Sequence, residues 1–175
     1  MIIALVPIER SIPGFNDLAD SIRRTFKARI TTKMIDLPLT RSFRKKRNQF
    51  DANLLLKELL SYAHLGADKV VFLFREDLFA DELAFVFGLA NQQFCIVSTA
   101  RLDPRYYGEK DMEKARGLFK KRLLKEVVHE LGHTMGLAHC RNKGCAMVHA
   151  NSVSDVDLKG ESLCSSCSKS LSLDK

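Results

Sequence analysis

The sequence predicts an α/β fold: a mixed, mostly parallel twisted sheet with an antiparallel edge strand, flanking helices, and a short C-terminal part held by metal. Three observations carry this. Strand-like and helix-like runs alternate through the first hundred residues. One helical periodicity then runs from Asp111 to Met135 and holds two histidines four residues apart. Beyond Gly136 the apolar periodicity stops, and four of the five cysteines follow.

The elements follow in order. IIALVP (2–7) is a short apolar run ended by Pro7, as expected of a buried strand. Phe15, Leu18, Ile22 and Phe26 form a helical stripe across 15–28. ARITTKMIDL (28–37) is rich in β-branched residues and alternates, so a second strand is expected. RSFRKKR (41–47) reads as a solvated basic loop leading into a helix from Asp51. KVVFLF (69–74) is a third strand. Leu83–Ala90 and Phe94–Ala100 read as two more, joined near Asn91-Gln92, and supply the antiparallel edge. Met112, Ala115, Leu118, Phe119, Leu123, Val127, Leu131 and Met135 then mark a long helix, with Asp111 as N-cap and Gly136 as its end. His64, at the end of the earlier helix, reads as structural.

At 175 residues and 46% apolar, the chain suits one domain (1–175) with a sizeable core. Within it, 1–136 forms an α/β subdomain carrying the long helix, and 137–175 a smaller C-terminal subdomain. The net charge of +7 permits an acidic partner without specifying one, and the basic run lacks the aromatics of a nucleic-acid surface. MIIALVPIER lacks the features of a signal peptide, and no run approaches a membrane span. The expectation is a cytoplasmic monomer that engages neither membrane nor nucleic acid. In such a reducing compartment clustered cysteines point to metal.

The chemistry concentrates in HELGHTMGLAHC (129–140). On a helix the four-residue spacing puts His129 and His133 on one face, able to share a zinc ion. Glu130 stands beside the first ligand, placed to take a proton from a metal-bound water. Gly136 lets the backbone turn so that His139 supplies a third imidazole, leaving one coordination position open. Cys140, Cys145, Cys164 and Cys167 form two pairs that complete a closed structural zinc shell, which would also order an apolar-poor tail. Disulfides or a redox Cys-x-x-Cys at 164–167 are the alternatives. Two zinc ions per chain are expected, one catalytic and one structural.

HELGHTMGLAH with a nearby methionine resembles the metzincin clan of zinc peptidases. The run from His129 through Cys140, Cys145 and Met147 to Cys164-Ser-Ser-Cys167 resembles the archaemetzincins. That resemblance implies hydrolysis of peptide bonds, with Glu130 as general base and His129, His133 and His139 as ligands. It implies that Met147 forms an apolar floor under the histidines, the Met-turn, and that 83–90 is an edge strand where an extended peptide pairs. His149, two residues after Met147, is a candidate for stabilising an oxyanion. The alternative is a zinc protein that binds a peptide or protein partner with little proteolysis.

Overall fold

The computed structural model describes residues 1–8, 12–37, 41–62 and 65–173, so His64 lies outside the described residues. Its main sheet has the order β2-β1-β5-β8-β7, from β1 (Ile2–Pro7), β2 (Arg29–Thr32), β5 (Lys69–Phe74), β7 (Gly88–Ala90) and β8 (Phe94–Ser98). All pairings are parallel except β7 with β8, where Gly88 faces Val97 and Ala90 faces Cys95. The expected mixed sheet with one antiparallel edge is therefore present.

The sheet is buried on both faces, which explains the unbroken apolar runs of its central strands. Ile3 and Leu5 point to one core, where α1 (Phe15–Phe26) and α3 (Met112–Thr134) pack. Ala4 and Val6 point to the other, covered by α2 (Ala52–Leu59). Helix α3 is fixed at both ends. The Asp111 carboxylate accepts from the Glu113 and Lys114 amides, both at 3.0 Å. Lys69 on β5 donates to the Thr134 carbonyl at 2.6 Å, placing a cation at the negative end of the helix. Two short helices follow, α4 (Val153–Leu158) and α5 (Ser165–Leu173). No helix among the described residues is long and apolar enough to cross a membrane.

Three expectations need correction. The strand expected over 28–37 is regular only at Arg29–Thr32; farther along, Ile35 makes a single bridge to Ile8. The basic run is not a free loop. It contributes β3 (Phe43–Arg44) to a small second sheet with β4 (Gln49–Asp51) and β6 (Leu78–Phe79), in the order β3-β4-β6. The strand expected over 83–90 is regular only at Gly88–Ala90. Before it, Val86 makes a single antiparallel bridge to Leu78, and at 83–84 side chains take the place of a ladder. Arg47 donates to the Leu83 and Ala84 carbonyls at 2.9 and 3.0 Å, and Gln49 to the Ala84 carbonyl at 2.9 Å. Carbonyls satisfied by a guanidinium have no call for a neighbouring strand.

Candidate metal centres

Helix α3 carries His129 and His133 towards the end of a cleft of about 620 Å³. Residues 83–90 form one wall and His149, Ala150 and Asn151 the other, with His129, Glu130, His133 and His139 between them. The helix ends at Thr134 with Met135 as its C-cap, and Gly136 turns the chain with φ +87°, a conformation cheap only for glycine. That turn returns His139 to the helix, with its ring centroid 5.3 Å from that of His129 and 4.9 Å from that of His133. The three rings offer ligand atoms within 4.8 Å of one another.

Hydrogen bonds fix which nitrogens face inwards. His129 Nδ1 lies 2.9 Å from the Ala146 carbonyl, and His133 Nδ1 2.8 Å from the Leu137 carbonyl. A carbonyl only accepts, so each Nδ1 carries the proton and each Nε2 keeps a bare lone pair. The two Nε2 atoms stand 3.1 Å apart. Two converging lone pairs repel unless a cation lies between them. Nitrogens about 2.1 Å from one tetrahedral ion would be ~3.4 Å apart, close to the spacing seen. Burial drives the proton affinity of His129 down to about 2, and that of His133 and His139 in the same direction, which keeps the rings in their ligating form. The donor set fits zinc.

Glu130 is buried beside this cluster. Burial, with the neighbouring Glu126 carboxylate behind it, pushes its carboxyl up to about 8 without metal. Gly88, on the edge strand, makes room for it: a β-carbon there would lie 2.7 Å from Glu130 Cγ and Oε1. Met147 is fully buried under the helix, and a β-carbon on Gly132 would lie 2.3 Å from its sulfur. Gly132, the third residue after His129, is thus the space into which Met147 packs. His149 lies across the cleft mouth, its ring 4.6 Å from that of His139 and its Nε2 2.9 Å from Asn151 Oδ1.

The four cysteines meet in a second cluster. Cys140 Sγ is 3.9 Å from Cys164 Sγ, and Cys145 Sγ 3.8 Å from Cys167 Sγ. Disulfide sulfurs lie ~2.05 Å apart, so these are free thiols. Four sulfurs at about 2.3 Å from one tetrahedral ion would stand ~3.8 Å apart, which is the observed spacing. The Asn142 and Cys164 amides point at Cys140 and Cys145 sulfurs at 3.4 and 3.3 Å, as suits thiolates. The Cys167 amide draws the Cys164 thiol down to about 7, whereas burial and the neighbouring thiols push Cys167 up. A dication resolves that conflict, because it lets all four ionise. The Cys140 amide donates to the Met147 carbonyl at 2.9 Å, so the two clusters share a backbone link.

The seven expected metal ligands fall in these two clusters, and Glu130, Met147 and His149 stand beside the histidines. Missed were Glu126 and Lys159; Gly88, expected as part of the edge strand, also clears space for Glu130. Glu126 could have been found, since it precedes Glu130 by one helical turn on the same face. Lys159 reaches the site only through tertiary packing.

Known proteins bear on this arrangement. Residues 19–173 match Peptidase family M54. An archaemetzincin of Saccharolobus solfataricus is 42% identical over 132 residues, spanning 75% of this chain and 69% of that protein. One of Methanocaldococcus jannaschii is 40% identical over 141 residues, 78% and 73% of the two chains. The crystal structure of an archaemetzincin from Methanopyrus kandleri superposes with a TM-score of 0.83 at 32% identity, covering 100% of this chain and 96% of that one. A zinc-dependent peptidase from Methanocorpusculum labreanum gives 0.82 at 26% identity, covering 97% and 99%. The fold that carries both clusters is therefore that of the archaemetzincins, and the chain belongs to Peptidase family M54.

Proposed function

We propose that this protein is a zinc-dependent peptidase in which His129, His133 and His139 hold the catalytic ion and Glu130 is the general base. Zinc on three imidazoles supplies Lewis acidity towards a peptide carbonyl and brings a bound water to a pKa of about 7. The observation that carries the reading is the buried Glu130 carboxylate beside three converging imidazoles, two with inward lone pairs, in a cleft bounded by a sheet edge. Metal retention alone does not need that carboxylate.

The chain's own residues then divide the work. Glu130 receives the proton of the attacking water and passes it to the leaving amine. The free edge of β7, at Gly88–Ala90, offers backbone groups to an extended substrate, pairing it antiparallel across the cleft. Met147, packed on Gly132, is the Met-turn methionine that gives the histidines an apolar floor. Cys140, Cys145, Cys164 and Cys167 hold a second, structural zinc in a shell with no position for water. His149 stands at the cleft mouth with its Nε2 engaged by Asn151 Oδ1 at 2.9 Å.

The test is Glu130→Ala on a peptide that the wild type cleaves, found by screening from short free peptides to long unfolded chains. The variant should keep both zinc ions and lose about 10²–10⁴-fold in turnover. Cleavage at the wild-type rate would refute the assignment. A wild type that binds peptides but cleaves none would favour the partner-binding alternative.

A further inference from the structure

Helix α3 carries Arg122, Lys125 and Glu126 at successive positions of one face, and all three are buried. They converge on three residues, Val156, Asp157 and Lys159. Arg122 Nε and Nη2 grip the Asp157 carboxylate at 2.7 and 2.6 Å. Lys125 Nζ donates to the Val156 and Asp157 carbonyls at 3.0 and 2.8 Å, at the end of α4. Glu126 Oε1 lies 2.8 Å from Lys159 Nζ, with side-chain exposures of 3% and 1%. Lys159 Nζ also reaches the Val148 carbonyl at 3.4 Å, one residue past Met147.

The same stretch is held from its other side by the cysteine cluster. A β-carbon on Gly160 would stand 2.0 Å from the Gly144 carbonyl oxygen, so the backbones at 160 and 144 are pressed together next to Cys145. The Ala146 amide donates to Ser162 at 2.9 Å, two residues before Cys164. Residues 156–162 therefore lie between the catalytic helix and the cysteine loops, gripped by both.

An ion pair buried this fully is a poor way to gain stability, since apolar residues of similar volume do as well or better. Its place on the helix suggests another use. Glu126 lines the cleft, three residues before His129 and four before Glu130. The opposite partner braces the backbone that supplies the Ala146 acceptor of His129.

We infer that Glu126 and Lys159 are a positioning pair for the three-histidine site. They lock helix α3 to the segment that the four cysteines order, and so set the register of His129 and Glu130 against His139. The inference rests on the zinc reading above, and its test separates the two.

The decisive variant is Glu126→Gln/Lys159→Met in the full chain, which removes both charges and strands neither. Cobalt(II) is the probe: thiolate ligation gives an intense charge-transfer band, and nitrogen–oxygen ligation only weak visible bands, so each site is read separately. Chelator competition then gives the affinity of each. The double variant should keep its thiolate cobalt and bind the three-histidine ion about 10–100-fold more weakly, with altered visible bands. Lys159→Arg, which keeps the charge, should stay within about threefold of wild type. Unchanged three-histidine affinity in the double variant would overturn the inference while leaving the zinc reading intact. Loss of cobalt from both sites together would also overturn it, making the pair a general prop of the fold. A wild type that takes no cobalt on its histidines would remove the zinc reading and this inference with it.

Discussion

Gly88→Ala offers a sharp test of how the edge strand and the proposed base are matched. Its backbone does not demand glycine, because Gly88 is absent from the positive-φ positions. Any effect must come from the added methyl group. That carbon would stand 2.7 Å from Glu130 Cγ and Oε1 and 2.8 Å from Cδ. Ordinary carbon contacts are ~3.5–4.0 Å, so the carboxylate must retreat by roughly 0.8 Å or more. Misplacement on the order of 1 Å costs about 10²-fold in turnover. Stability should change less: alanine in a strand gains about 0.5–1 kcal/mol over glycine, and overpacking costs about 1–3 kcal/mol. The histidines are untouched, so zinc content should equal wild type. The assay is kcat on a cleaved peptide, with zinc analysis and urea unfolding alongside. Gly117→Ala is the control, since a β-carbon there meets nothing within 4 Å. Turnover within threefold of wild type for Gly88→Ala would refute the clearance role.

Two further outcomes are expected. Gly132→Ala should destabilise the protein by about 1–3 kcal/mol in urea unfolding, because its methyl group meets the Met147 sulfur at 2.3 Å; an unchanged midpoint would mean that Met147 repacks freely. The second concerns pH in protein whose histidine site carries no metal. Burial first, and Glu126 second, hold the Glu130 carboxyl up to about 8 from 4.5, so the folded state keeps a proton that the unfolded chain has released. That contribution is full below pH 4.5 and lost as pH rises through 8. His129, lowered by burial to about 2 from 6.5, acts in the opposite sense and only below 6.5. Between pH 6.5 and 8, wild type should therefore lose about 2 kcal/mol relative to Glu130→Gln. Parallel stability curves for the two proteins would contradict it.

What the sequence disclosed was local. The Asp111 cap, the apolar repeat of α3 and the four-residue histidine spacing each depend on neighbours within a turn or two, and each stands where expected. Gly136 was legible for the same reason, since its turn is a backbone property. The misjudged stretches depend on distant partners. Residues 83–87 form an apolar run like a strand, yet Arg47 and Gln49 take their first carbonyls. The arginines of 41–47 look like solvated charge, yet Arg47 also lies over the Phe79 ring at 4.0 Å. Nothing near Lys159 in sequence reveals a buried carboxylate 33 positions upstream. Contacts of that kind are set by the tertiary fold, which periodicity does not encode.

The three imidazoles differ in exposure: His129 is buried, His133 half-buried and His139 open to solvent. That gradient gives the site a direction. In the proposed zinc site a competing chelator would reach the His139 side first, so the loop ligand should be displaced before the helical pair. An ion entering the proposed site from solution would likewise meet the exposed ring first and the buried one last.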